Sequence, residues 1–164
     1  MSREWKIKSI LILVFLVVMI NAGVQLYNHR HYMEPIVAGP GVTKVAKLSD
    51  YCEGLKGTVA DTNVFFLEGK EEGGKALLIC STHSNEPVAA LTAFIFVENA
   101  IIDKGTLIVI PRFNNSGSRT TRAGDGYPLY FEIPTQWGNK KFRMGNRGAS
   151  PLDQWPDPDV YVHY

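Results

Sequence analysis

One heptapeptide, Ser81-Thr82-His83-Ser84-Asn85-Glu86-Pro87, sets an imidazole and a carboxylate three residues apart. Imidazole nitrogen and carboxylate oxygen are both suitable ligands for Zn2+, which at catalytic centres takes three protein ligands and keeps one position open. A zinc ion held in this way polarises a carbonyl and brings the pKa of its water down to about 7, which is the chemistry of amide hydrolysis. Pro87 disfavours helical backbone at Glu86, so His83 and Glu86 are expected to straddle a turn. That differs from the H-E-x-x-H arrangement, where both histidines lie on one helix. The competing account is a loop histidine followed by a glutamate that complements a helix dipole. His-x-x-Glu alone is common by chance.

The flanking elements decide what such a pair can do. Residues 75–81 contain the run Ala76-Leu77-Leu78-Ile79-Cys80, apolar on both faces, which predicts a buried strand. A helix is predicted from about Glu86 to Ala100, with Pro87 suited to its first position because the missing N–H has no partner there. Asp103-Lys104-Gly105 ends it, and residues 106–110 form a second apolar strand. Strand, helix and strand of these lengths make a βαβ unit, hence an α/β domain with a mostly parallel or mixed sheet and flanking helices. His83 and Glu86 then fall at the carboxyl end of a strand, where ligands bind in such sheets. Upstream, residues 48–55 predict a short helix with Ser49 as cap and Gly57 as stop. Residues 63–67 predict a strand and residues 69–74 a turn. Beyond Pro111, glycine, proline and asparagine interrupt every run, which predicts long loops, and residues 160–164 read as the start of a strand.

With these features in this order, residues 76–122 resemble the succinylglutamate desuccinylase/aspartoacylase family, a branch of the zinc carboxypeptidase superfamily. The family's T-H-G-x-E-P turn is matched by Thr82-His83-Ser84-Asn85-Glu86-Pro87, with Ser84 in place of glycine. Its second strand ends near an asparagine, here Ile108-Val109-Ile110-Pro111-Arg112-Phe113-Asn114. An N-x-x-small-x-R pattern follows, matched by Asn114, Gly117 and Arg119. The resemblance implies that His83 and Glu86 are zinc ligands. It implies that Arg119, with Asn114 beside it and Arg122 as a nearby alternative, binds a substrate carboxylate through paired hydrogen bonds. Asn146-Arg147 offers the Asn-Arg dipeptide with which family members contact substrate, but its flanking residues do not match.

The family also uses a downstream histidine as third ligand and a glutamate as general base. His163 is the one histidine after His83 and lies in a strand-like context, where it is expected to face solvent or another strand; the general base is expected beyond Tyr164. The zinc-carboxypeptidase-like domain is therefore expected to be incomplete here: a truncated product, a fragment or a degenerate member. The implied function is zinc-dependent hydrolysis of amide bonds, of the carboxypeptidase or N-acyl amino acid deacylase type. The implied substrate is a small molecule or peptide with a free carboxylate. The alternative is a catalytically inactive, membrane-tethered α/β binding domain.

The membrane enters through the first residues. Arg3, Lys6 and Lys8 precede an apolar stretch over residues 10–20 with a weaker tail to Tyr27. Together these approach the ~20 residues that cross a bilayer. Ala22 could serve a signal-peptide cleavage site, but Ile20 fits its −3 position poorly, which favours a retained anchor over a cleaved signal. The basic flank places the following residues on the extracytoplasmic side. The expected organisation is an anchor or signal over residues 1–28, a linker over 29–42 and the α/β domain over 43–164. A formal net charge of +1 without a basic run argues against nucleic acid as a partner. Composition sets no oligomeric state. Cys80 lies in an apolar run and reads as a buried free thiol. Tyr127, Tyr130, Phe131, Trp137 and Trp155 are expected to pack loops onto the domain. Asp153, Asp157 and Asp159, interleaved with prolines, are expected in a solvated loop.

Overall fold

The computed structural model describes residues 2–121, 125, 128–135 and 138–148. Arg122, Tyr127, Trp137, Trp155, His163, the three aspartates from Asp153 to Asp159 and the strand expected over residues 160–164 lie outside the described residues. The chain divides into two compact units, Met1–Met33 and Glu34–Tyr164.

The first unit is a single helix, α1 (Arg3–His31). Ser2 caps it, its Oγ accepting from the Trp5 N–H at 3.4 Å, and the helix runs into the stretch read as connector. Its apolar side chains, from Ile10 to Ile20, are exposed on every side, so no face is polar enough to prefer water. At 1.5 Å per residue its 29 residues exceed the ~30 Å hydrocarbon core of a bilayer. The helix is long and apolar enough to cross a membrane.

The second unit is α/β. Strands β1 (Lys44–Lys47), β2 (Asn63–Glu68), β3 (Glu71–Ile79) and β4 (Lys104–Ile110) form a mixed sheet in the order β1-β2-β4-β3. β1 and β4 run antiparallel to β2, whereas β3 and β4 are parallel, with Leu77 opposite Ile108 and Ile79 opposite Ile110. Helix α2 (Pro87–Asn99) crosses between the parallel pair, with Pro87 in its first turn. A short turn of helix, α3 (Asn115–Ser118), follows β4. A separate antiparallel hairpin comprises β5 (Tyr130–Thr135) and β6 (Gly138–Arg143).

Four expectations need correction, one being the turn over residues 69–74, where β3 already begins at Glu71. β3 is not buried: among the described residues it is an edge strand, and Leu77 and Ile79 are 58% and 43% exposed. The helix expected over residues 48–55 is two 3-10 turns, Leu48–Asp50 and Glu53–Leu55. Ser49 does not cap it; its N–H and Oγ both donate to the Asp61 carboxylate, at 3.0 and 2.9 Å, while Asp50 accepts from the Lys47 N–H. Beyond Pro111 the chain is not all loop, because residues 130–135 and 138–143 pair as the two strands of the hairpin.

The core sits between α2 and the sheet. Ala93 and Val97 pack on Phe65, Leu67, Cys80 and Val109. Burial raises the pKa of the free Cys80 thiol against the smaller opposing effect of a backbone hydrogen bond from Ala93. The next stripe of α2, Ala90 and Phe94, meets the hairpin through Phe142. The Phe94 and Phe142 rings stack at 5.2 Å, and Phe131 stacks on Phe142 at 5.4 Å. Ala46, Val64 and Ile110 fill a smaller cluster on the other face of the sheet.

Candidate functional site

The loop between β3 and α2 begins with a conformation that side chains rarely adopt. Ser81 has φ 55°, a left-handed backbone that costs free energy unless its surroundings enforce it. Here they do: Ser81 is buried and its Oγ accepts from Arg112 Nη1 at 3.4 Å. The bend carries the chain out at the carboxyl end of β3, where the Glu86 N–H donates to the His83 carbonyl at 3.2 Å. Glu86 is the N-cap of α2, yet its side chain makes no capping bond. Its Oε1 lies 3.1 Å from His83 Nδ1, with the two side chains 61% and 39% exposed. Such an open pair contributes little to stability as an ion pair. Its spacing also suits two ligands of one metal, since donors bound at 2.0–2.1 Å around a tetrahedral zinc lie about 3.3 Å apart. Among the described residues no third His, Cys, Asp or Glu gathers with them.

Several bonds hold this loop rigid from below. Ser84 is fully buried; its Oγ donates to the Asn114 carbonyl at 3.0 Å, and its own carbonyl accepts from the Gly145 N–H at 3.1 Å. The hydroxyl that departs from the T-H-G-x-E-P pattern is therefore a brace between loops. Asn114 uses both ends of its amide internally: Nδ2 donates to the Thr82 carbonyl at 3.2 Å, and Oδ1 accepts from the Gly117 N–H at 2.9 Å. Its place is as the cap of α3 and a strut under His83. Arg119 follows at the end of α3.

The segment after β6 joins the same cluster. The Asn146 N–H donates to the carbonyls of Gly117 and Thr120, at 2.9 and 3.0 Å. Asp125 bridges Asn85 Nδ2 at 2.8 Å and the Arg147 N–H at 3.0 Å. A Cβ on Gly145 would fall 2.4 Å from Ser118 Cα and 2.6 Å from Ser84 Cβ, so only glycine permits this approach. The structure thus brings Asn146-Arg147 against the His83 loop, with Asn146 buried and Arg147 exposed.

A second constellation was invisible in the sequence. Glu34, in the stretch read as linker, is buried with its side chain 2% exposed between Arg112 and Arg143. Arg112 donates Nε to Glu34 Oε2 at 2.9 Å and Nη2 to Oε1, and Nη2 also reaches the Arg143 carbonyl at 3.1 Å. The Arg143 N–H donates to Oε1 at 2.9 Å and Nη2 to Oε2 at 3.4 Å. Burial alone would raise the Glu34 pKa, but Arg112 and then Arg143 outweigh it and hold the carboxyl below its ordinary value. Burial acts the other way on Arg143, lowering its pKa to about 10, with Arg112 and Arg119 adding repulsion that Glu34 partly offsets. No local pattern signals this cluster, since Glu34 lies 78 positions from Arg112 and 109 from Arg143.

No protein-family model matches the chain, and neither a curated protein nor a solved structure matches it.

Proposed function

We propose that this chain carries part of a zinc-dependent amide hydrolase site of the succinylglutamate desuccinylase/aspartoacylase type, tethered to a membrane by α1 and facing the extracytoplasmic side. The observation that carries the reading is the convergence of His83 Nδ1 and Glu86 Oε1, 3.1 Å apart at the carboxyl end of β3. His83 and Glu86 would hold the metal. Zinc, when bound, supplies Lewis-acid polarisation and water activation. Arg119 orients the substrate by gripping its free carboxylate, which restricts the substrate class to N-acyl amino acids and peptides with a free carboxyl end. The braces from Ser84, Asn114 and Asp125 keep the pair pre-organised, which is the condition for a productive site.

The test is zinc calorimetry on the full chain, joined to hydrolysis of a panel of N-acyl amino acids. Two protein ligands hold zinc weakly compared with the usual three or four, so zinc affinity is expected to be low. His83→Ala and Glu86→Ala should each abolish what there is, and Arg119→Ala should weaken binding of N-acyl amino acids with a free carboxylate. Unchanged zinc affinity in the His83→Ala protein would end the metallohydrolase reading. A second reading, a tethered α/β binding domain without catalysis, is favoured by the absence of a third ligand among the described residues. Zinc retention with turnover would eliminate it.

A further inference from the structure

Strand β3 presents an edge whose backbone groups have no strand partner among the described residues. The Cys80 N–H donates to the Ile110 carbonyl at 2.9 Å, and in a parallel ladder alternate residues bond to the same neighbour. Ala76, Leu78 and Cys80 therefore turn their N–H and C=O groups to β4, whereas Lys75, Leu77 and Ile79 turn theirs outward. The side chains of those three share one face, opposite Thr106, Ile108 and Ile110, on the side of the sheet away from α2. They make a stripe of one cation and two apolar groups. Lys75 is exposed and forms no ion pair among the described residues, and Leu77 and Ile79 are both open to solvent.

The two edges of the sheet are built differently. β1, at the other end, carries exposed Lys44 and Lys47, the kind of charge that keeps an edge from pairing. Residues 76–79 of β3 carry no charge. The β3 edge also leads into the candidate site: the strand ends at Ile79, and the Ser81 bend then carries the chain to His83 and Glu86. A strand laid parallel to β3 arrives with its carboxyl end at that loop. A second copy of β3 matches the stripe less well. In a two-fold antiparallel pair, centring on Lys75 opposes two ammonium groups, and centring on Ala76 sets each Lys75 against Leu77. Bringing Glu71 to Lys75 leaves Leu77 and Ile79 unmatched.

We propose that this edge docks an extended peptide as an added strand parallel to β3, with an acidic residue beside Lys75, apolar residues beside Leu77 and Ile79, and a free carboxyl end at the His83 loop. Main-chain hydrogen bonds to Leu77 and Ile79 supply affinity, and the alternate side chains supply selectivity. The fate of the peptide rests on the hydrolase reading, whose substrate class this narrows to peptides. Docking itself requires neither zinc nor turnover.

The experiment is fluorescence anisotropy on the full, metal-free chain in nonionic detergent micelles, with fluorescein-Glu-Thr-Val-Thr-Val ending in a free carboxylate. This peptide should bind saturably. N-methylation of one alternate set of its amides should abolish binding, while the other set is tolerated. The reversed sequence Val-Thr-Val-Thr-Glu, which matches the stripe only when antiparallel, should bind more weakly. Lys75→Glu should weaken the first peptide by roughly two- to fivefold, the range of a cross-strand charge pair, and a peptide with Lys in first place should regain the loss. Leu77→Lys, at an exposed position where substitution leaves the fold intact, should weaken every peptide by about fivefold or more. No saturable binding, equal tolerance of both N-methyl sets, equal binding of the reversed sequence or no response to Leu77→Lys would overturn the proposal. Self-association that Leu77→Lys abolishes, without peptide binding, would overturn it too and give the edge to a second copy. In His83→Ala docking should persist. Loss of zinc binding and turnover alone therefore strikes only the hydrolase reading, and turnover of N-acyl amino acids without peptide docking strikes only this proposal.

Discussion

Arg112 grips Glu34 with a two-pronged contact across 78 positions of chain, through Nε at 2.9 Å and through Nη2. That pair ties the first residue of the α/β unit to the end of β4, and Glu34 in turn accepts from the backbone N–H of Arg143 at the end of β6. The guanidinium also lies 5.6 Å from the centre of the Phe94 ring, so the ion pair rests on the helix that forms the core.

Removing the carboxylate should therefore be the most damaging single change in this region. Glu34→Ala leaves two buried guanidinium groups uncompensated and is expected to cost about 3–5 kcal/mol. Arg143→Met should cost less, because Glu34 keeps the Arg112 fork and one buried charge is lost. Urea unfolding of both variants followed by circular dichroism checks the order. A smaller loss for Glu34→Ala than for Arg143→Met would contradict it.

Stability should fall on acidification for a traceable reason. The folded pKa of Glu34 lies below its ordinary 4.5, so its contribution is complete above that value and is lost as pH falls through the lower, folded one. Glu34→Gln should flatten this acid limb in thermal melts as the pH falls below 4.5, the ordinary value from which the folded pKa is lowered. Arg143 shifts in the same direction, so its contribution also rises with pH, but at the alkaline end. With its pKa lowered from the ordinary arginine range to about 10, the folded chain holds that proton less tightly, so Arg143 adds stability only as pH rises beyond about 10.

The edge position of β3 makes a contrast between two leucines. Leu67 is completely buried and Leu77 is 58% exposed. Leu67→Ala is expected to cost about 2–5 kcal/mol, and Leu77→Ala about 0.5 kcal/mol or less, as for other surface positions. Equal losses in denaturant melts would mean that something covers β3 in solution.

For α1 the expected outcome is topological. A reporter fused after Tyr164 should be active in its exported form and silent in its cytoplasmic form, because Arg3, Lys6 and Lys8 precede the apolar run. Strong cytoplasmic reporter activity would remove the extracytoplasmic placement.

What the sequence determined by itself is what depends on near neighbours. An unbroken apolar run makes α1, and the strand, helix and strand order with Pro87 at the helix start makes the parallel β3–α2–β4 unit. His83 and Glu86 are three positions apart, so the turn that pairs them is written in adjacent residues. Tertiary structure decided the rest. The apolar run of β3 looked buried because sequence carries no count of sheet neighbours, and among the described residues β3 has only β4 beside it. The β5–β6 hairpin was obscured by Pro134 and by Lys140 and Lys141, whose polarity hides the partner-dependent packing of Phe131 and Phe142. Glu34, Arg112 and Arg143 read as a linker residue and two scattered cations. Buried charges find their partners across the fold, and an ion pair 78 or 109 positions apart leaves no periodicity for a sequence to display.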